Sequence, residues 1–318
     1  PIYKEWIFGY VLSNPDEFEP CYQSCGSSCG IKCIMTGTDK AGEECEVSFA
    51  GSDSVLTDSH YSEVPDLQMY PMVAGAVVPM YNLGVTGPQL VLDRQVLAEI
   101  FMCTITHWRD PKIVDLNSGP NQLCPQGKLE SSNCLLPDAY INVYHRSDGS
   151  GTTETFTRAL YTFSLEWRKH AEPSSVWPEY FAQQCENGPG SPDSGSGNYG
   201  TFALALSNEY SITYVSAGIL ANTGEGTYAS LVNRDGYTVD ASPANIQEAM
   251  KRTKWDLSTF TGDMIDASGP SWPISAYTYI IFRKNQTENN PPWKDCDSTR
   301  GAIEFFEWSL TDDYPIFR

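Results

Sequence analysis

Residues 141–160 read Ile-Asn-Val-Tyr-His-Arg-Ser-Asp-Gly-Ser-Gly-Thr-Thr-Glu-Thr-Phe-Thr-Arg-Ala-Leu. The first four alternate in polarity and predict a short strand. Gly149, Ser150 and Gly151 then punctuate a turn, and Phe156, Leu160 and Phe163 recur at helical spacing. Strand, Gly/Ser-rich turn and helix together make a generic anion site. The glycines let backbone N–H groups face outward, and the helix N-terminus adds the positive end of its dipole. Ser150 and Thr152 add hydroxyl donors, and Arg146 adds a cation four residues before Ser150. The same residues also read as Ser/Thr capping of a helix beside an exposed Arg, and spacing alone leaves both readings open.

Helix and strand signals alternate on both sides of this stretch, which predicts an α/β protein. Strands are expected at Val47–Ala50, Met72–Met80, Ile212–Val215 and Tyr277–Phe282. Asp93 is a good N-cap for a helix carrying Val96, Leu97, Ile100 and Phe101 on one face. Pro243 sits in the first turn of a helix running to Met250, and Ile303–Leu310 predicts a closing helix. Residues 186–200 are rich in Gly, Ser, Pro and Asn and read as an irregular surface loop. Two further loops resemble the opening turn in composition, Gly26-Ser27-Ser28-Cys29-Gly30-Ile31-Lys32 and Ala50-Gly51-Ser52-Asp53-Ser54. The second also reads as a plain Asx turn.

The 318 residues carry 40 Asp and Glu against 20 Lys and Arg, a formal charge of −20. Such a surface repels nucleic acid and anionic lipid, so neither is an expected partner. The uncharged stretch from Leu67 to Leu92 is interrupted by Pro71, Pro79 and Pro88 and predicts buried strands rather than a membrane span. The chain starts at Pro1 with no apolar leader, so any signal peptide is expected to have been removed. Ten cysteines, an even number, predict disulfides and an oxidising compartment. Cys21, Cys25, Cys29 and Cys33 form a ladder without a CxxC pair and without a nearby His, so no metal is expected there. Cys124 and Cys134 flank a polar loop and are expected to form a local bridge. Asn285-Gln286-Thr287 is an N-glycosylation sequon.

Taken in order, several segments resemble the bacterial phosphate-binding protein family, the PstS-like receptors of phosphate ABC transporters and their DING-like, eukaryote-associated relatives. They begin with residues 26–32, Phe49–Ser54 and Pro71–Asn82. Val91-Leu92-Asp93, Leu97–Phe101, Trp108–Pro111 and Arg146–Thr152 follow. The series ends with Ile212–Val215, Trp272-Pro273-Ile274 and Phe305–Trp308. The resemblance covers nearly the whole chain, and its arginine-to-threonine motif is the most specific part. It implies a two-lobe periplasmic-binding-protein ("Venus flytrap") fold, each lobe a mixed sheet flanked by helices. Lobe one is expected at 1–78 plus 274–318 and lobe two at 79–273, with the ligand cleft between them. It further implies inorganic phosphate as ligand, with Ser27 and Asp53 from lobe one and Arg146, Ser150, Gly151 and Thr152 from lobe two. Asp148 would orient Arg146. No cofactor and no catalysis are implied.

Asp53 is unexpected beside an anion. A carboxylate can accept a hydrogen bond only from an oxyanion that still carries a proton, as hydrogen phosphate does and sulfate does not. Sulfate would oppose two negative charges at a cost of several kcal/mol. In the family a further strand and loop precede the position equivalent to Pro1, and another element follows Trp308. Lobe one is therefore expected to lack a strand in this sequence, either because the natural protein carries the missing pieces beyond it or because another chain or domain supplies them. An alternative function follows, a structural module of an extracellular assembly, completed by a strand from a neighbouring chain, with phosphate binding secondary or lost. Both readings place the protein outside the cell, or in the periplasm if bacterial. An enzyme reading rests on Gly26-Ser27-Ser28-Cys29-Gly30, which fits GxSxG with Ser28 as nucleophile, or on His145 beside the anion turn. No apolar strand leads into Ser28, the four histidines form no motif, and no Walker A, HExxH or GxGxxG motif is present. The protein is expected not to be an enzyme.

Overall fold

The computed structural model describes residues 2–14, 21–125, 134–285 and 296–311. The elements that position the candidate site are, in chain order, α1 (Ile2–Ser13), α2 (Ser27–Thr36), β1 (Ala50–Ser52), β2 (Leu67–Asn82), α3 (Arg94–Phe101), β3 (Asn142–Arg146), α4 (Gly151–Phe163), β4 (Asp193–Gly195), α5 (Gly197–Ser207), β5 (Ser211–Ser216), α6 (Pro243–Met250), β6 (Ser275–Arg283) and α7 (Cys296–Thr311). The chain divides into two compact units. One comprises residues 1–70 and 279–318, the other 71–278.

In the first unit β1 pairs antiparallel with β6, Ala50 opposite Ile281 and Ser52 opposite Tyr279. The Gly30 face of α2 lies on β1, where a Cβ would stand 3.3 Å from the Gly51 carbonyl oxygen. Gly51 admits the ring of Tyr3, since a Cβ there would lie 2.5 Å from a ring carbon. The Tyr3 hydroxyl donates to the Tyr279 carbonyl. The core is aromatic: Tyr3 and Tyr10 of α1 meet Phe305, Phe306 and Trp308 of α7, and Phe49 packs edge-on against Phe306 at 4.7 Å. This corrects the expected strand at Val47–Ala50. The paired backbone begins at Ala50 and takes in Gly51 and Ser52, because the partner segment is Tyr279–Ile281 and the Phe49 ring joins the aromatic cluster. The Asp66 carboxylate receives Arg283 Nε and Nη2, and Lys284 N donates to the Asp66 carbonyl, so the end of β6 is tied to the approach to β2.

In the second unit, β2 pairs antiparallel with β5, Val77 opposite Ser216 and Asn82 opposite Ser211. Parallel pairing adds β3 to β5 and β4 to β3. The sheet is thus mixed, with α4 and α5 packed along it. The expected strand at Met72–Met80 is longer, Leu67–Asn82. Residues 186–200 are not a plain loop. They contain β4, which places Gly195 opposite Arg146, and the start of α5. Gly195 permits this, because a Cβ there would overlap the backbone of Thr201. The helix from Asp93 is present, with the Asp93 carboxylate accepting from Val96 N at 2.7 Å. Helix α6 also carries Pro243 in its first turn, as expected.

Four disulfides are formed: Cys25–Cys29, Cys33–Cys45, Cys103–Cys185 and the expected local bridge Cys124–Cys134. Cys21 and Cys296 are exposed thiols. Among the described residues, no helix is long and apolar enough to cross a membrane, and no cluster of His, Cys, Asp and Glu could hold a metal ion. Asn285 is exposed, while Gln286 and Thr287 of its sequon lie outside the described residues.

Candidate functional site

Arg146 ends β3, and everything around it is built to hold its guanidinium. The residue is 5% exposed, which removes the reading of an exposed Arg beside an ordinary cap. Its Nε donates to Asp148 Oδ1 at 2.7 Å, its Nη2 to Asp148 Oδ2, and its Nη1 to Asn198 Oδ1 at 2.9 Å. A guanidinium has five N–H donors. These three bonds leave two, both on the terminal nitrogens that recognise an oxyanion side by side. Asp148 is fixed in turn by the backbone N–H of Gly197, at 2.9 Å. Burial alone would raise the Asp148 carboxyl. The hydrogen bonds from Arg146 and Gly197 outweigh that and hold it below the ordinary carboxylate range.

The turn that follows caps α4 directly. Ser150 Oγ accepts from Thr152 N at 3.1 Å, and Ser150 N donates to Ser175 O. Ser150, Gly151 and Thr152 are all buried. Tyr214 of β5 supports both halves from below. Its hydroxyl accepts from Arg146 N at 3.2 Å and lies 2.8 Å from the Thr153 hydroxyl. Burial pushes Tyr214 up to about 12, so it stays a neutral hydroxyl at any physiological pH. Phe156, Tyr214, Trp177 and His145 stack in series beside it, at centroid spacings of 4.4, 5.6 and 5.3 Å. Burial holds His145 below its ordinary value, against the opposing pull of its contact with the Arg146 carbonyl and of Asp193 and Glu186.

In the first unit the structure joins Ser27 and Asp53 through the backbone: Asp53 N donates to Ser27 Oγ at 3.1 Å. Gly26 reaches the positive φ of 84° that turns the chain into α2, and Ser27 is the first residue of that helix. The Asp53 side chain is exposed, and its charge adds to burial in raising the Tyr22 hydroxyl. Ser54 Oγ is buried without a hydrogen-bond partner. Ser28 lies in the first turn of α2, and residues 21–26 form no strand. The strand–turn–helix context a GxSxG nucleophile needs is therefore missing.

Arg146, Asp148, Ser150, Gly151 and Thr152 thus form one connected set, and Ser27 and Asp53 a second. Sequence reading missed Asn198, Gly197 and Tyr214. Tyr214 fell in an expected strand with no sign of a role. Asn198 was hidden in a stretch whose composition reads as loop, where Ser196-Gly197-Asn198 ahead of an apolar run was the only available signal of a helix start.

A buried, carboxylate-locked arginine thus stands beside the N-terminus of a Ser-capped helix, on a mixed α/β sheet. The chain belongs to the PBP superfamily, whose domain matches residues 4–313. It is 31% identical to the Phosphate-binding protein PstS of Pasteurella multocida, over 98% of this chain and 78% of that protein. It is 32% identical to the Phosphate-binding protein PstS of Xylella fastidiosa, over 98% of this chain and 74% of the relative. Among solved structures, the ancestral soluble variant of the Human Phosphate Binding Protein aligns with a TM-score of 0.68 at 19% identity, covering 96% of this chain and 84% of that one. That likeness shows the fold, the two-lobe α/β fold of periplasmic binding proteins. The family is one of solute-binding proteins rather than enzymes.

Proposed function

We propose that this protein is a secreted solute-binding protein for inorganic phosphate. The observation that carries the reading is Arg146, buried, held in plane by Asp148 and Asn198, with two N–H donors left over beside the Ser150-Gly151-Thr152 helix start. The ligands are Arg146, Ser150, Gly151 and Thr152, with Ser27 and Asp53 as the first unit's contribution. Each hydrogen bond to the charged ligand stabilises the complex by about 1.5–3 kcal/mol. A protein of charge −20 can bind an anion this way, because donors at hydrogen-bond distance outweigh a surface field screened within about 10 Å. Asp53 accepts the proton of hydrogen phosphate and opposes sulfate. The relatives named above as phosphate-binding proteins support the reading, and the four disulfides support an extracellular or periplasmic setting.

Titration calorimetry with phosphate and with sulfate tests it. Saturable binding of phosphate, much tighter than of sulfate, is expected. No heat with phosphate up to millimolar concentration sinks the proposal. A second reading, a structural module completed by a neighbouring chain's strand, draws on β1, a three-residue strand whose partner among the described strands is β6. Light scattering separates the two, since a receptor is expected as a monomer at micromolar concentration and a module as an oligomer.

A further inference from the structure

We infer that Asn198 is a positioning residue for Arg146, and that it must be a neutral one. The inference rests on the phosphate reading of the Arg146 half-site.

Asn198 is the second residue of α5 and lies 52 residues from Arg146 in sequence, yet its Oδ1 accepts from Nη1 at 2.9 Å. The pairing of β4 with β3 brings it there, with Arg146 opposite Gly195. Gly197, with φ of 67°, turns the chain from β4 into α5 and donates its own N–H to Asp148 Oδ1. One short segment therefore fixes both members of the ion pair, the carboxylate by a backbone donor and the guanidinium by an amide acceptor. Asp148 alone holds the Nε edge and leaves the guanidinium free to tilt about that edge. The Nη1 bond to Asn198 removes the tilt and aims the two remaining N–H groups.

The choice of an amide has an electrostatic reason. Asp148 already balances the charge of Arg146. A second carboxylate in the position of Asn198 would hold the guanidinium at least as firmly but leave the cluster net negative, opposing any anion. An amide oxygen supplies the acceptor without the charge. A residue needed only to hold the fold would show no such distinction.

Three variants and one spectrum test this. Asn198→Ala is expected to weaken phosphate binding about tenfold, the usual scale for removing a group that orients a ligand-binding side chain. Asn198→Asp, which preserves the acceptor, is expected to weaken it about a hundredfold or more, the scale of like charges brought together. Asn198→Ser, a shorter neutral acceptor, should lie between wild type and Asn198→Ala. The melting temperatures without phosphate should stay within about 2 °C of wild type. Binding by Asn198→Asp equal to wild type, or unchanged binding in Asn198→Ala, overturns the inference. Should wild type itself not bind phosphate, the parent reading falls, and the clamp is still read from the side-chain ¹⁵N resonances of Arg146. Separate Nη signals in wild type that average in Asn198→Ala support the clamp, and averaged signals in both refute it.

Discussion

Two Arg–Asp pairs, one in each unit, each join a buried arginine to a partly exposed carboxylate but sit in different surroundings. Arg283 and Asp66 are separated by 217 residues and join the end of β6 to the approach to β2. Nε donates to both carboxylate oxygens at 2.9 Å, Nη2 adds a bond at 2.8 Å, and Nη1 reaches the Ile34 carbonyl of α2. Arg146 and Asp148 are two residues apart, so their pair closes a turn rather than linking distant elements. Chain closure is already accomplished by Lys284 and Asp66 in the first case and by strand pairing in the second. What differs is the use of the guanidinium. Arg283 spends its donors on the scaffold. Arg146 is held by Asp148 and by the Asn198 side chain, next to the Ser150-capped start of α4. Burying an ion pair is a weak source of stability, because desolvation offsets the attraction. On the phosphate reading, Arg146 is retained beside the Ser150-capped helix start for recognition rather than for stability.

Substitution of the two arginines should separate these roles most sharply. Arg146→Ala is expected to weaken phosphate binding by about a hundredfold to ten-thousandfold, the equivalent of two charge-assisted hydrogen bonds, and also to lower the melting temperature, since it leaves the partly buried Asp148 carboxylate without its partner. Arg283→Ala should cost stability without costing binding. It leaves the mostly buried Asp66 carboxylate without its partner, and about 3 kcal/mol of unfolding free energy should be lost in a denaturant titration while the surviving folded fraction still binds phosphate. Equal effects of both variants on binding would erase the distinction. Asp53→Asn in the first unit should have a smaller, more selective effect. Phosphate binding weakens slightly and sulfate binding improves, so that the discrimination between them falls about tenfold in competition calorimetry.

The smallest effect expected is on acid stability. Both Asp66 and Asp148 are pushed up by burial and pulled further down by their arginine and backbone bonds, to below the ordinary value of 3.8. A carboxylate with a lowered folded pKa contributes stability that is present above the unfolded value and disappears as pH falls through the folded one. Unfolding free energy should therefore decline from about pH 4 downward, and each Asp→Asn variant should show a shallower slope there by denaturant titration. At neutral pH the pairs should part again. Asp148→Asn weakens phosphate binding and Asp66→Asn leaves it unchanged.

How much of this could be read from the chain follows from the distances along it. The Arg146–Thr152 turn was legible because its working parts are contiguous. An Asp two residues from its Arg, and a Ser that caps the N–H two residues ahead, are local bonds that composition announces. The β2, β5 and β6 segments were legible for a similar reason, since apolar, β-branched runs show wherever they fall. The boundary of β1 was misplaced because a three-residue strand has no periodicity of its own and is set by its partner at 279–281. Residues 186–200 read as loop because Gly, Ser and Asn also build the tight strand-to-helix passage at Gly195, where a side chain would collide with α5, and Gly197, whose φ of 67° favours glycine.

The sequence by itself thus determined the Gly/Ser turn that opens α4, its arginine and carboxylate, the α/β alternation and the resemblance to phosphate-binding proteins. Each of these is encoded in neighbouring residues or in periodicity. Only the tertiary structure decided that Arg146 is buried, that Tyr214 supports it from 68 residues away and that Asn198 holds it from 52. Those contacts depend on which strands pair and in what register, and register is settled by burying the apolar faces of the whole sheet at once.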